Sequence, residues 1–140
     1  MQQKKIPTPD SSVLDQLRAA GLRPTRQRLA LAKLLFGRGH CHVTAEDLFN
    51  EAKQAHVDVS LATIYNALHD FTAKGMLREI SIGSNSSYFD TNIGDHHHFY
   101  FEGSGRLQDI PQDSVQIAAL PDAPEGAKIS RVDVIVRVQD

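Results

Sequence analysis

The chain has 140 residues, 41% of them hydrophobic, one cysteine and a formal net charge of −2. That size supports one ordinary domain or two small ones, and it excludes an internal disulfide, a Cys-x-x-Cys zinc knuckle and an apolar run long enough to span a membrane. The charge is uneven, with 11 Lys/Arg against 8 Asp/Glu in residues 1–89 and 4 against 9 in residues 90–140, which suits a first half that meets a polyanion, although a solvated charged surface gives the same count.

Met1-Gln2-Gln3-Lys4-Lys5 lacks the apolar run of a signal peptide, so the expected location is the cytoplasm. Four short helices follow. Ser11 or Ser12 caps the first, Val13, Leu14 and Leu17 form its inner face, and Gly21 ends it. Thr25 caps the second, whose Leu31, Leu34 and Leu35 recur at helical spacing before Gly37. Thr44-Ala45-Glu46-Asp47 approximates a capping box for the third, with Leu48, Phe49 and Ala52 facing inward. Ser60 caps the fourth, where Leu61, Ile64, Leu68 and Phe71 make an apolar stripe and Gly75 is the stop.

After Gly75 the period changes to that of strands, 76–82 and 87–90, around the turn-forming Gly83-Ser84-Asn85-Ser86. Helices followed by a hairpin predict a winged helix-turn-helix over residues 1–90, the alternative being a helical bundle with an incidental hairpin. Residues 91–95 read as a hinge. Strands are expected at 96–102 and 106–110, and a half-buried one where Val132, Val134, Val136 and Val138 alternate with Asp133, Ile135, Arg137 and Gln139. Three strands in residues 96–140 bury too little surface alone, so this strand-rich part is expected to dimerise and bind ligand. The fold class is therefore α+β: an N-terminal winged helix-turn-helix followed by a small α/β dimerisation domain.

On the fourth helix, Ala62, Thr63, Tyr65, Asn66 and His69 fall on the solvent side, just after Ser60. The methyls of Ala62 and Thr63 suit thymine, Asn66 suits adenine edges, and Tyr65 stacks or reaches a phosphate. An ordinary polar helix face has the same composition. Arg23, Arg26 and Arg28 add positive charge suited to phosphates or a narrow minor groove.

Asp95-His96-His97-His98 is the strongest ligand signal. Side chains alternate along a strand, so His96 and His98 share one face and form a chelating pair, while His97 points away. Asp90 adds a carboxylate, and His42 lies just before the third helix. Imidazoles with a carboxylate suit Fe, Mn, Zn or Ni without choosing among them; the bland alternative is a solvated histidine patch. Haem is a further candidate, with an axial imidazole from His96, His97 or His98 and an apolar wall from Phe99, Tyr100 and Phe101, which serve equally as core strand residues. Cys41 reads as a small buried residue. No His-Glu-x-x-His, phosphate loop or nucleophile elbow is present, so no enzyme is expected.

Gly21-Leu22-Arg23-Pro24-Thr25-Arg26-Gln27-Arg28-Leu29, His42-Val43-Thr44-Ala45-Glu46-Asp47-Leu48-Phe49, Leu61-Ala62-Thr63-Ile64-Tyr65-Asn66-Ala67-Leu68 and the histidine run together resemble the ferric uptake regulator (Fur) family. Tyr88-Phe89-Asp90-Thr91-Asn92 leading into that run is most similar to the iron response regulator (Irr) branch. The resemblance implies a dimeric winged-helix regulator reading an AT-rich palindrome. By it, His42, Asp90, His96 and His98 match regulatory metal ligands, Tyr65 matches a base-contacting tyrosine, Asn66 replaces a usual arginine, and Arg23 matches a minor-groove residue. Phe101 and Ser104 stand where most relatives carry cysteines, so no structural zinc held by four cysteines is expected. Asp95 and His97 match part of a further metal site whose later glutamate falls near Gln116.

The combined expectation is a homodimeric, iron-responsive transcription regulator. It would bind double-stranded promoter DNA under control of haem and/or a divalent metal (Fe, Mn or Zn), without contact to a membrane. The alternatives are a direct Fe- or Mn-sensing repressor without haem, and a metal-binding protein that does not bind DNA.

Overall fold

Helix boundaries follow from polar side chains that satisfy the free N–H groups of each first turn. The computed structural model describes residues 9–83 and 86–140, so the N-terminal pentapeptide and the tip of the 83–86 turn lie outside the described residues. Helix α1 (Pro9–Ala19) begins upstream of Ser11 and Ser12, which corrects the expected cap: both serines lie within the helix. Proline is well suited to a first turn, where its missing N–H has no intrahelical partner to lose. Helix α2 (Arg26–Phe36) starts after Thr25, whose Oγ1 accepts the Arg28 N–H at 3.2 Å. Helix α3 (Ala45–Gln54) opens on a reciprocal capping box between Thr44 and Asp47, and α4 (Leu61–Ala73) on Ser60, whose Oγ accepts the Thr63 N–H at 3.1 Å. Each such cap contributes about 1 kcal/mol.

The stops of α1 and α4 are left-handed glycines. Gly21 (φ 79°) and Gly75 (φ 77°) adopt a backbone that a Cβ would strain. Leu22 N–H then reaches the Leu17 carbonyl and Met76 N–H the Phe71 carbonyl, closing α1 and α4.

Two compact units result, the first ending at Ile93 and the second running Gly94–Asp140. In the first, Leu17, Leu31, Leu35, Leu48, Ile64, Leu68, Phe71 and Phe89 are fully buried, and Phe36 meets Phe71 edge-on with ring centroids 5.6 Å apart. Leu61 was expected on this buried stripe but is 36% exposed. The arc is set by Ile64, Ala67, Leu68 and Phe71, and at 100° per residue Leu61 falls at its margin. Strand β1 (His42–Val43) was not expected. It pairs antiparallel with β3 (Ser86–Asp90), whose other edge pairs with β2 (Arg78–Gly83), giving the order β1-β3-β2.

In the second unit β4 (His96–Phe101) lies between antiparallel β5 (Leu107–Pro111) and parallel β6 (Ile135–Val138). A 3-10 turn occupies Gln112–Ser114, and residues 115–134 carry no helix or strand. The valine alternation predicted a strand from 132, yet β6 begins at Ile135 and leaves Val136 37% exposed. Just before β6, Val134 gives its N–H to His97 Nδ1 at 3.1 Å while its carbonyl accepts the His98 N–H at 3.2 Å. Asp140 Oδ1 accepts the N–H groups of Gly103 (2.6 Å) and Ser104 (3.3 Å), tying the chain beyond β6 to the β4–β5 turn. No helix among the described residues is long and apolar enough to cross a membrane.

Candidate functional site

Within the first unit, the antiparallel register of β1 and β3 sets His42 opposite Asp90. His42 Nε2 lies 3.2 Å from Asp90 Oδ2. Asp90 is fully buried, and its Oδ1 accepts the Asn92 N–H at 2.8 Å. The following residue is anchored as well: Thr91 Oγ1 accepts the Cys41 N–H at 2.9 Å, and Thr91 N–H donates to the Cys41 carbonyl. A carboxylate so deep in the protein needs charged or hydrogen-bonding partners, and His42 and Asn92 supply two. Cys41 is a free, half-buried cysteine packed against the core of this unit.

Within the second unit, His96 and His98 do share one face of β4, with ring centroids 4.5 Å apart. Asp109 on β5 stands opposite His98 in register, and its Oδ1 lies 3.3 Å from His96 Nε2 and 3.4 Å from His98 Nε2. One ligand atom from each of these three residues lies within 4.8 Å of the others. His96 Nδ1 faces the Gly94 carbonyl, which only accepts, so that nitrogen carries a proton and Nε2 is the nitrogen turned toward Asp109. A lone pair and a carboxylate oxygen at this separation repel unless a proton or a metal cation is shared between them. Two imidazoles and a carboxylate suit a borderline divalent ion.

Sequence reasoning missed Asp109. The available signal was the short 103–105 turn, which returns β5 along β4 and brings an acidic residue level with the histidines. His97 points to the other face and uses Nδ1 to accept from Val134, so it stands apart from the three-residue cluster. Two of the three aromatic residues considered as a haem wall carry cations on their faces: the Arg106 guanidinium lies 4.1 Å from the Phe101 ring centroid and that of Arg137 lies 5.3 Å from Tyr100.

The second group of residues singled out by sequence gathers on α2 and α4. Arg23 and Arg26 are exposed. Arg28 is committed, donating to the Arg23 carbonyl at 2.7 Å and to Asp70 at 3.1 Å. Ser60 and Thr63 hydroxyls hydrogen-bond each other at 3.0 Å. Tyr65 is 40% exposed and donates its phenol to Glu46 at 3.0 Å, a bond that raises the phenol above its ordinary pKa by favouring the protonated form. His69 contacts the Tyr65 ring on one side and the Phe89 ring on the other. Asn66 is exposed beside a cleft of about 110 Å³ lined also by Thr25, Gln27 and Arg28.

The profile of the ferric uptake regulator family matches residues 19–137. The peroxide-responsive repressor PerR of Staphylococcus aureus (strain Mu50 / ATCC 700699) is 38% identical over 94 residues, covering 67% of this chain and 63% of that protein. The corresponding PerR of Staphylococcus epidermidis is 38% identical over 67% of this chain and 62% of its own length. The match thus spans under two thirds of these relatives. Among solved structures, the ferric uptake regulator from Pseudomonas aeruginosa with manganese aligns with a TM-score of 0.69 at 22% identity, over 91% of this chain and 96% of that one. The Vibrio cholerae ferric uptake regulator aligns with a TM-score of 0.71 at 19% identity, over 90% and 98%. At these identities the structural likeness concerns the fold.

Proposed function

Because the chain belongs to the ferric uptake regulator family, we propose that it is a metal-responsive transcription regulator that binds promoter DNA as a homodimer. The observation that carries the metal reading is the approach of His96 Nε2 and His98 Nε2 to one carboxylate oxygen of Asp109, at 3.3 and 3.4 Å. His42 and Asp90 supply two further donors. When bound, a divalent cation supplies the positive charge that lets these imidazoles and carboxylates share a site.

The residues of the chain do the rest. Helix α4 enters the major groove with Tyr65 and Asn66 toward base edges. Arg23 and Arg26 neutralise phosphates, and the β2–β3 hairpin is the wing. Ligands drawn from both sides of residues 91–95 link metal occupancy to DNA binding, by an amount equal to the differential affinity of the metal for the two states. In the second unit Ile117, Leu120, Ile129 and Val136 are exposed; a second copy covers apolar surface that roughly fifty residues cannot bury alone. Iron, manganese and zinc are the metals proposed, with manganese the first probe because the Pseudomonas aeruginosa relative holds it. The protein acts in the cytoplasm and carries no catalytic role.

The second reading is control by haem, as the iron response regulator branch implies. It is favoured by the run His96, His97 and His98 ahead of Phe99, Tyr100 and Phe101, and by Phe101 and Ser104 in place of cysteines. The guanidinium groups over Phe101 and Tyr100 must move for those rings to face a porphyrin, so direct metal sensing is the better supported of the two.

Fluorescence anisotropy on an AT-rich palindromic duplex, with apo protein, with Mn²⁺ and with haem, tests both. Binding that follows Mn²⁺ and ignores haem supports direct metal control. Release by haem moves the protein to the second reading. Absence of binding in all three states refutes the DNA-binding function.

A further inference from the structure

Among the described residues Arg78 is the one buried Lys or Arg, at 7% exposure, and Asp90 is the one buried Asp or Glu. The fold sets these two level with each other. In the order β1-β3-β2, His42 and Arg78 are both register partners of Asp90, one on each side of it. Residues directly opposite in a ladder project to the same face, so His42, Asp90 and Arg78 form one row. The next row, Val43, Phe89 and Glu79, projects to the other face, where Val43 and Phe89 enter the core. A guanidinium keeps its charge at any working pH, and a buried charge needs an opposite one. Asp90 has room to serve it: a carboxylate offers about four lone-pair sites, and His42 and the Asn92 N–H face two of them.

Resting on the reading of His42 and Asp90 as metal ligands, we infer that Arg78 is a positioning residue for the metal response. It neutralises Asp90 in the metal-free protein and, as a fixed positive charge beside that ligand, raises the metal concentration at which the site fills. Both effects come from one charge. Without Arg78, a metal-free Asp90 is a buried carboxylate that has lost its permanent counter-charge, and it favours a divalent ion more strongly. With Arg78 in place, the incoming ion meets a pair of zero net charge instead of a lone anion. A divalent ion and a guanidinium about 6 Å apart repel enough to shift Kd about tenfold even at the dielectric constant of water. The metal-free chain thus keeps its buried carboxylate without an ion, and responds only when the metal is abundant enough to overcome Arg78.

The test is Mn²⁺ titration of the chelator-treated chain, with free Mn²⁺ counted by electron paramagnetic resonance, beside thermal melts without metal. The proteins are the wild type, Arg78→Gln, Arg78→Lys, Asp90→Asn and the double variant Arg78→Gln/Asp90→Asn. Arg78→Gln should lower the Kd for Mn²⁺ by about tenfold or more and lower the metal-free Tm. Arg78→Lys keeps the charge and should hold Kd near the wild-type value. In the Asp90→Asn background Arg78→Gln should cost less Tm than in the wild type, because the carboxylate it would strand is gone. An Arg78→Gln Kd no tighter than wild type, while Asp90→Asn weakens binding, overturns the role of Arg78 and leaves Asp90 a ligand. A lysine variant that tightens binding as much as the glutamine one overturns the charge argument. If Arg78→Gln does not fold without metal, recovery of folding in the double variant supports the pairing and no recovery overturns it. A Kd that Asp90→Asn leaves unchanged overturns the ligand reading and this inference together.

Discussion

Replacing Asp90 by asparagine separates a ligand from a structural carboxylate. The side chain is fully buried, with Oδ1 on the Asn92 N–H at 2.8 Å and Oδ2 3.2 Å from His42 Nε2. Asparagine keeps the shape and can keep the Asn92 bond through its own Oδ1. Exchanging a charged for a neutral acceptor costs about 1 kcal/mol, so the metal-free variant still folds. Metal binding responds far more strongly. At a free metal concentration of 100 times Kd, binding stabilises the wild type by about 2.7 kcal/mol. A chain of this length shifts its Tm by about 4 °C per kcal/mol, so Mn²⁺ raises the wild-type Tm by about 10 °C. Loss of a ligand weakens affinity by at least about 100-fold, which is the upper range for groups that merely support ligands. At the same metal concentration the stabilisation then drops to about 0.4 kcal/mol, a shift of under about 2 °C. Thermal melts by circular dichroism, with chelator and with Mn²⁺, read both quantities. A variant that keeps the full Mn²⁺ shift removes Asp90 from the ligand set, and one unfolded without metal makes the carboxylate structural.

Three other perturbations probe separate parts of the argument. Phe71→Ala removes a fully buried ring that packs edge-on against Phe36, at a cost of about 3–5 kcal/mol; urea unfolding should show that loss together with weakened DNA binding. Arg26→Ala should lower the slope of log binding constant against log salt by about 1, whereas Arg28→Ala should leave the slope unchanged and cost about 0.5 kcal/mol of stability, since its guanidinium is already engaged by Asp70 and the Arg23 carbonyl in partly exposed surroundings. Asp140 donor contacts, first the Ser104 hydroxyl and then the Gly103 N–H, hold its carboxyl below the ordinary range. A depressed native pKa contributes stability above the unfolded value near 4 and loses it as pH falls through the native one. Asp140→Asn should therefore melt below wild type at pH 7 and match it in strong acid.

Most of the first unit was legible because its signals are local. Thr25, Thr44 and Ser60 act within three residues of themselves, and Gly21 and Gly75 stop helices through their own backbone. The α1 start was misplaced for a related reason: a serine is a cap only where the helix has not already begun, and Pro9 begins it. Two-residue β1 was invisible, since His42-Val43 is too short to show a period and becomes a strand only because the edge of β3 is there to pair with.

Along the chain, Asp95-His96-His97-His98 already determined which imidazoles share a face, because alternation is a property of any extended strand. The same holds for the stripe of α4, where helical period alone separates Ile64 and Leu68 from Tyr65 and Asn66. Tertiary structure decided which of these groups are free. It brought Asp109 beside His96 and His98, turned His97 to accept from Val134, and tied Tyr65 to Glu46 and Arg28 to Asp70, leaving Asn66 uncommitted. Those pairings join residues 11 to 42 positions apart, and only the folded chain sets distances over such separations, because hydrogen bonds and ion pairs act over a few ångströms of space and carry no record of sequence order.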